Sequence, residues 1–121
     1  MNRSERRKKA GGKGASKPAR GIEAHLERAR GALLAGRLDD AVALCDAVLA
    51  KQRANAEALH IKGLAMRAQN HPDAAIDHLS RAAKAAPGCA DIHYNLGITL
   101  AGAGRLADAE ATYRRAIGLD G

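Results

Sequence analysis

An internal repeat of 34 residues constrains the fold of this chain more than any other feature of its sequence. When the chain is shifted by 34 residues, the segments that begin at Ile22, Ala56 and Ala90 align without a gap. The rows that coincide include Ala41, Ala75 and Ala109; Ala29, Gly63 and Gly97; and Cys45, Leu79 and Tyr113. A period of this length is typical of proteins built from stacked units, each of which contacts only its neighbours.

Within each repeat, apolar residues recur at helical spacing on both sides of a turn. Gly36, Asn70 and Gly104 share one repeat position, and these residue types tolerate the left-handed backbone that ends many helices. Asp39 and Asp73 follow three residues later, so we expect them to cap the second helix of their repeats. The predicted helices cover residues 22–35, 39–52, 56–69, 73–86, 90–103 and 107–119.

The apolar composition agrees with helices that pack closely. Hydrophobic residues make up 46% of the chain but aromatic residues only 2%, so Ala and Leu dominate, and both favour helices. β-branched and aromatic residues are too few for a sheet. Gly63 and Gly97 fall in the middle of predicted helices, where Gly costs about 0.5–1 kcal/mol relative to Ala. This cost is explained if a partner helix lies against the backbone there, with Ala41, Ala75 and Ala109 supplying the matching small surface.

The net charge of +7 arises in the first 20 residues, which hold eight basic residues and one acidic residue. This segment is Gly-rich and lacks periodic apolar residues, which predicts a disordered basic arm over residues 1–21. Its cations are Arg3, Arg6, Arg7, Lys8, Lys9, Lys13, Lys17 and Arg20. Clustered cations attract nucleic acid or an anionic surface nonspecifically, but no aromatic residue is interleaved to stack on bases. A solvated terminus without a fixed partner is the alternative.

The segment NLGITLAGAGRLADAEATYRRAIGLD resembles a tetratricopeptide repeat. In the third repeat the matching residues are Leu96, Gly97, Leu100, Ala109, Tyr113 and Ala116. The second repeat matches at Gly63, Met66, Ala75, Leu79, Ala82 and Pro87, and the first at Ala29, Ala32, Ala41, Cys45 and Val48. The opening aromatic of the pattern is replaced by His25, Leu59 and His93. The resemblance implies an all-α, right-handed superhelical solenoid of three antiparallel helix hairpins, with repeats over residues 22–55, 56–89 and 90–121.

The residue types that carry catalysis or bind metals lack the spacing these functions require. None of the five histidines forms a His-x-x-x-His pair. Cys45 and Cys89 are far apart and have no paired-ligand spacing. We therefore expect no catalytic residue, no metal and no cofactor, and the chain is not predicted to be an enzyme. No apolar run approaches the roughly 20 residues that cross a bilayer, and the N-terminus lacks a secretory signal, so a soluble cytoplasmic protein is expected.

The resemblance implies a scaffold that binds a peptide segment of a partner in the concave groove formed by the first helix of each hairpin. The corresponding residues are Glu23, Leu26, Glu27, Arg30, Leu33, Glu57, His60, Ile61, Leu64, Arg67, Asp91, Tyr94, Asn95 and Ile98. The apolar members Leu26, Leu33, Ile61, Leu64 and Ile98 are expected to form an open floor. Glu23, Glu57 and Asp91 are expected to form an acidic row, although helix-dipole complementarity explains them equally well, since each lies in a predicted first turn. The expected partner is a protein or peptide with apolar anchors and some basic residues.

Three other interpretations remain. Arrays of this kind resemble the N-terminal regions of bacterial glycosyltransferases, sulfotransferases and methyltransferases, where repeats select substrate for a C-terminal catalytic domain. The basic arm alternatively tethers the chain to nucleic acid or an anionic surface. Finally, Tyr113, Ala116 and Ile117 lie on the side of the last helix where another helix normally stacks, which predicts self-association through this helix or low stability.

Overall fold

The computed structural model describes the backbone of residues 16–120 and the side chains of residues 21–119. Six helices cover this part of the chain: α1 (Ser16–Leu34), α2 (Leu38–Lys51), α3 (Ala56–Ala68), α4 (Pro72–Ala85), α5 (Ala90–Gly102) and α6 (Leu106–Asp120). They pair in chain order into three antiparallel hairpins, and each hairpin packs against the next. The prediction of an all-α solenoid of three helix hairpins is confirmed.

The turn inside each hairpin has the same construction. Gly36, Asn70 and Gly104 adopt positive φ angles of 78°, 67° and 82°. The next residue donates its backbone N–H to a carbonyl oxygen five residues earlier, as in the bonds of Arg37 to Ala32 (2.8 Å), His71 to Met66 (2.9 Å) and Arg105 to Leu100 (2.9 Å). This is the hydrogen bond that closes a Schellman motif. The predicted left-handed helix ends are therefore confirmed.

The first helix begins earlier than predicted. It begins at Ser16 rather than at residue 22, so residues 16–21 of the predicted arm belong to α1. Pro18 does not prevent this, because it lies in the first turn, where the missing N–H has no intrahelical acceptor to lose. The remainder of the predicted arm, residues 1–15, lies outside the described residues.

The capping prediction for Asp39 and Asp73 is wrong. Each is the second residue of its helix, and the N-cap residues Arg37 and His71 make no side-chain cap hydrogen bond. The two carboxylates instead lie near the positive end of the helix dipole. A side chain does cap α3, where Asn55 Oδ1 accepts a hydrogen bond of 2.9 Å from the N–H of Ala58.

The mid-helix glycines accept large side chains from the second helix of their own hairpin. A Cβ atom added to Gly63 would lie 2.7 Å from Cγ of Leu79, and one added to Gly97 would lie 2.7 Å from the Tyr113 ring. The prediction of a partner helix against these glycines is confirmed. The contact comes mainly from the row of Leu79 and Tyr113 rather than from the alanine row, although the backbone oxygen of Ala75 lies 3.4 Å from the Gly63 position.

Buried side chains form a core that continues from one hairpin to the next. One cluster joins α1 and α2 to Ile61 and Ala65 of α3. A second joins α4, α5 and α6. Between them, Leu59, Ala82 and Ile92 pack together from α3, α4 and α5. Because every cluster crosses a boundary between hairpins, no hairpin buries its apolar residues alone. None of the described helices is long and apolar enough to cross a lipid bilayer.

The outer side of α6 differs from the prediction. Ala116 is buried, and the Tyr113 ring packs on Gly97, so neither residue is open to a further helix as expected. Ile117 is 69% exposed, and Leu106, at the start of α6, is 67% exposed. The Tyr113 ring packs on the small surface at Gly97, so the exposed large apolar side chains of α6 are Leu106, Ile117 and Leu119.

Candidate functional site

The predicted groove residues lie on α1, α3 and α5, and α3 contacts both of the other helices. Side chains from the three helices meet across these boundaries. Arg30 of α1 forms an ion pair with Glu57 of α3, and Arg67 Nη1 of α3 donates to Thr99 Oγ1 of α5 at 3.2 Å. The predicted groove residues of the three repeats thus lie on adjoining helices, and we call this set of residues the groove surface.

The three residues of the predicted acidic row differ in their exposure to solvent. Glu23 and Asp91 are exposed, whereas Glu57 is half-buried and paired with Arg30. Glu57 and Asp91 lie in the first turn of their helices, so the helix dipole accounts for them in part. Glu23 is the eighth residue of α1, well beyond the first turn, and the dipole explanation is wrong for it. Glu27, one turn further along α1, is also exposed.

The predicted open apolar floor is smaller than expected. Leu26 and Ile61 are only 2% and 4% exposed, because both point into the core cluster shared by α1, α2 and α3. A ligand cannot contact them without separating the helices, so they are not part of an open floor. The remaining floor residues Leu33, Leu64 and Ile98 are half-buried, and Tyr94 is 55% exposed. We call these last four side chains the apolar strip. The ring of Tyr94 also lies near that of Tyr113 on α6, with ring centroids 5.9 Å apart.

A network of hydrogen bonds joins α3 to α5 beside the apolar strip. Asn95 Nδ2 lies 3.0 Å from His60 Nε2. Because the amide nitrogen donates, the imidazole accepts and is neutral, with its proton on Nδ1. Burial lowers the pKa of His60 below its ordinary value, the Arg67 guanidinium lowers it further, and the Asp91 carboxylate opposes the shift. The network therefore holds His60 in its neutral form.

Thr99 completes this network and was missed by the sequence analysis. Its side chain is 3% exposed, and Oγ1 donates to the backbone oxygen of Asn95 at 2.8 Å while accepting from Arg67. The sequence feature that could have identified Thr99 is its position one helical turn after Asn95, which places both residues on the same side of α5. Arg67 is half-buried and forms no ion pair with a carboxylate among the described side chains.

The described side chains contain no cluster of three His, Cys, Asp or Glu residues that could hold a metal ion. The arm cations Arg3, Arg6, Arg7, Lys8, Lys9 and Lys13 lie outside the described residues, as do the side chains of Lys17 and Arg20. The interpretation of the arm as an anionic-surface tether therefore stays a prediction.

Known proteins resemble this chain in both sequence pattern and fold. The tetratricopeptide repeat family matches residues 22–47 and 62–121. A mutant O-GlcNAc transferase of Thermobaculum terrenum is 32% identical, with a TM-score of 0.82 over 85% of this chain and 20% of that one. MamA from Desulfovibrio magneticus is 20% identical, with a TM-score of 0.76 over 82% of this chain and 56% of that one.

The type III secretion translocator chaperone SycD of Yersinia enterocolitica is 20% identical, with a TM-score of 0.76 over 81% of this chain and 74% of that one. Identities this low establish a shared fold alone for MamA and SycD. The chain spans a fifth of the transferase and just over half of MamA. No curated protein sequence matches it. The ungapped 34-residue period, the shared turn construction and the two family matches agree, and the chain belongs to the tetratricopeptide repeat family.

Proposed function

We propose that this chain is a protein-interaction scaffold that binds a peptide segment of a partner along the groove surface. The observation that carries the proposal is the exposed Tyr94 one helical turn before the half-buried Ile98 on α5, with the half-buried Leu64 at the same repeat position as Ile98 on α3. Neither Leu64 nor Ile98 contributes to the core clusters. Their side chains are therefore available to apolar anchors of a ligand, and an exposed aromatic residue next to them is typical of binding surfaces.

The charges next to the apolar strip favour a basic ligand. Glu23, Glu27 and Asp91 are exposed and form no ion pair with any described side chain. Lys or Arg residues in a partner would be attracted to these carboxylates and would be oriented by them relative to the apolar anchors. The proposed ligand is thus a segment that combines apolar and basic residues.

The test is binding of fluorescent peptides that contain leucines and lysines, with a second set in which glutamate replaces lysine. In Leu64→Asp we expect affinity for the basic set to fall about tenfold or more, because a carboxylate replaces an apolar contact. In Asp91→Lys we expect weaker binding of the basic set and stronger binding of the acidic set.

Asp73→Lys is the matched control for the charge change. Asp73 and Asp91 are both exposed second residues of their helices, so both variants lose the same helix-dipole interaction, but Asp73 lies on α4, away from the groove surface. Affinity should be unchanged in this control. Equal affinities in wild type, Leu64→Asp and Asp91→Lys, with the helical circular dichroism signal intact, would contradict groove binding.

The 32% identity with the O-GlcNAc transferase supports a second candidate function. In this alternative the repeats are the substrate-selecting N-terminal region of a larger glycosyl-, sulfo- or methyltransferase whose catalytic domain is not in this chain. The two functions are distinguished by the open reading frame: a catalytic domain after residue 121 would favour the second, and the same peptide-binding residues would then select substrate.

A further inference from the structure

The two most exposed apolar side chains of α6 lie on one side of the helix. Leu106 and Ile117 are 67% and 69% exposed and stand eleven residues apart, close to three full helical turns, which places them on one stripe. The positions equivalent to Ile117 in the earlier hairpins are covered by the following helix: Leu49 of α2 and Ala83 of α4 both pack against the core cluster that contains residues of α3 and α5. Ile117 thus stands at a position that is covered in the earlier hairpins. The charged residues beside the stripe favour one kind of partner for it.

Stacking a second copy head to tail is opposed by like charges. Lys62 Nζ of α3 lies 2.7 Å from Asp46 Oδ1 of α2, and this ion pair joins the first two hairpins. If α1 of another copy covered α6 in the same way, Arg28 would take the position of Lys62 and Arg114 the position of Asp46. Two arginines would then face each other at the junction, which disfavours a filament of stacked copies.

An antiparallel arrangement brings opposite charges together instead. Glu110 and Arg114 are exposed beside the stripe, where they form an ion pair with each other at 2.7 Å. In two antiparallel α6 helices related by a two-fold axis near residue 112, Leu106 lies opposite Ile117 of the second copy. Glu110 then lies opposite Arg114 of the second copy, and both contacts occur twice because the interface is symmetric. The apolar contact centres the axis between residues 111 and 112 and the charged contact centres it on residue 112, so the two registers differ by no more than one residue.

We propose that two copies of this chain associate through α6 in this antiparallel register, with Leu106 against Ile117 and Glu110 against Arg114 of the other copy. This association borders the groove surface, because Ile117 lines one pocket with Asp91 and Tyr94. It is tested separately from peptide binding, because Glu110 and Arg114 are not residues of the groove surface. The partner is a second copy of the same chain.

The test is sedimentation equilibrium of the full chain over a concentration series. Wild type should be a dimer, and Glu110→Arg and Arg114→Glu should each weaken dimerisation about tenfold or more, since each places like charges together twice. An equal mixture of the two variants should dimerise as tightly as wild type. The first variant has arginine at both positions and the second has glutamate at both, so each contact between them again joins opposite charges. Asp77→Arg is the control, since Asp77 forms a comparable exposed pair with Arg81 on α4 and should not affect dimerisation.

Leu106→Asp should abolish the dimer while circular dichroism shows the same helix content. If Leu106→Asp loses helix content, the Glu110→Arg and Arg114→Glu variants and their mixture alone test the dimer. Glu110 and Arg114 are exposed, so their replacement leaves the core intact. A monomer at every concentration would overturn the proposal. So would oligomers that grow beyond the dimer, a mixture that shows no recovery, or single variants that dimerise as wild type does.

Discussion

At the residue scale, the two cysteines differ in burial. Cys45 is completely buried in the first hairpin, and Cys89 is half-buried at the N-terminus of α5. Burial raises the pKa of the Cys45 thiol to about 12, the neighbouring Asp46 carboxylate raises it too, and Lys62 opposes the shift. The thiolate is the reactive form of cysteine, so Cys45 is held in its inert form.

We predict that alkylation distinguishes the two thiols. In the folded protein at mildly alkaline pH, iodoacetamide should modify Cys89 and leave Cys45 unmodified. A pKa of about 12 against an ordinary value of 9.0 lowers the thiolate fraction of Cys45 about a thousandfold, and burial blocks access as well. Mass spectrometry of tryptic peptides measures the outcome, and in denaturant both residues should react. Equal modification in the folded protein would contradict the buried position of Cys45.

At the element scale, the pairing of a small residue with a large one sets how closely the two helices of a hairpin approach. Gly63 faces Leu79 and Gly97 faces Tyr113. The first hairpin has Ala29 and Cys45 at these positions, both fully buried in one cluster. The larger residue on one helix is thus matched by a smaller residue on the other, and a change to either member alone disturbs the contact.

Gly63→Ala should therefore destabilise the protein although Ala is the better helix former. The added methyl group would lie 2.7 Å from Cγ and 2.9 Å from Cδ2 of Leu79, so the helices or the leucine must move. We expect a loss of ~1–3 kcal/mol in the free energy of unfolding, measured by urea denaturation.

Gly31→Ala is the matched control for this prediction. Gly31 lies inside α1, and a Cβ atom there would meet nothing within 4 Å. The control should be neutral or stabilised by up to ~1 kcal/mol, because only helix propensity changes. If Gly63→Ala were as stable as Gly31→Ala, the close contact with Leu79 would not exist in solution.

At the scale of the whole molecule, stability depends on contacts between hairpins as well as within them. Lys62 with Asp46 and Arg30 with Glu57 join the first hairpin to the second. The hydrogen bond between His60 and Asn95 joins the second to the third. This last bond requires a neutral imidazole, so one boundary between hairpins depends on pH.

We predict that stability falls as the pH falls below about 6.5 and that His60 contributes to the loss. In the unfolded chain His60 has its ordinary pKa of 6.5, whereas in the folded protein burial and Arg67 lower that pKa. Below about pH 6.5 the unfolded state therefore binds more protons, which favours unfolding; above it, this contribution to stability is fully present. Thermal denaturation over a pH series measures the effect. His60→Gln retains a hydrogen-bond acceptor without titrating, and its melting temperature should decline less on acidification. An identical decline of melting temperature in wild type and His60→Gln would contradict a contribution of His60 to the pH dependence.

Much of this architecture is encoded locally and was readable from the sequence. The 34-residue period, the helical spacing of Ala and Leu, and the left-handed residues Gly36, Asn70 and Gly104 predict three hairpins, because each signal acts within one or two turns of helix. Gly63 and Gly97 also predicted a close helix contact, since glycine inside a helix is unfavourable without such a contact.

The surface available to a ligand was decided only by the tertiary structure. Leu26 and Leu64 both lie on first helices of hairpins and have the same chemical character, yet one is buried in the core and the other is half-exposed. Which of them faces solvent depends on how α1, α3 and α5 are rotated against each other and against α2. That rotation results from the packing of residues more than 12 positions apart, such as Tyr113 on Gly97, and from bonds such as that between His60 and Asn95. A periodic pattern specifies that a helix has an apolar side, but the neighbouring helices determine how much of that side remains open.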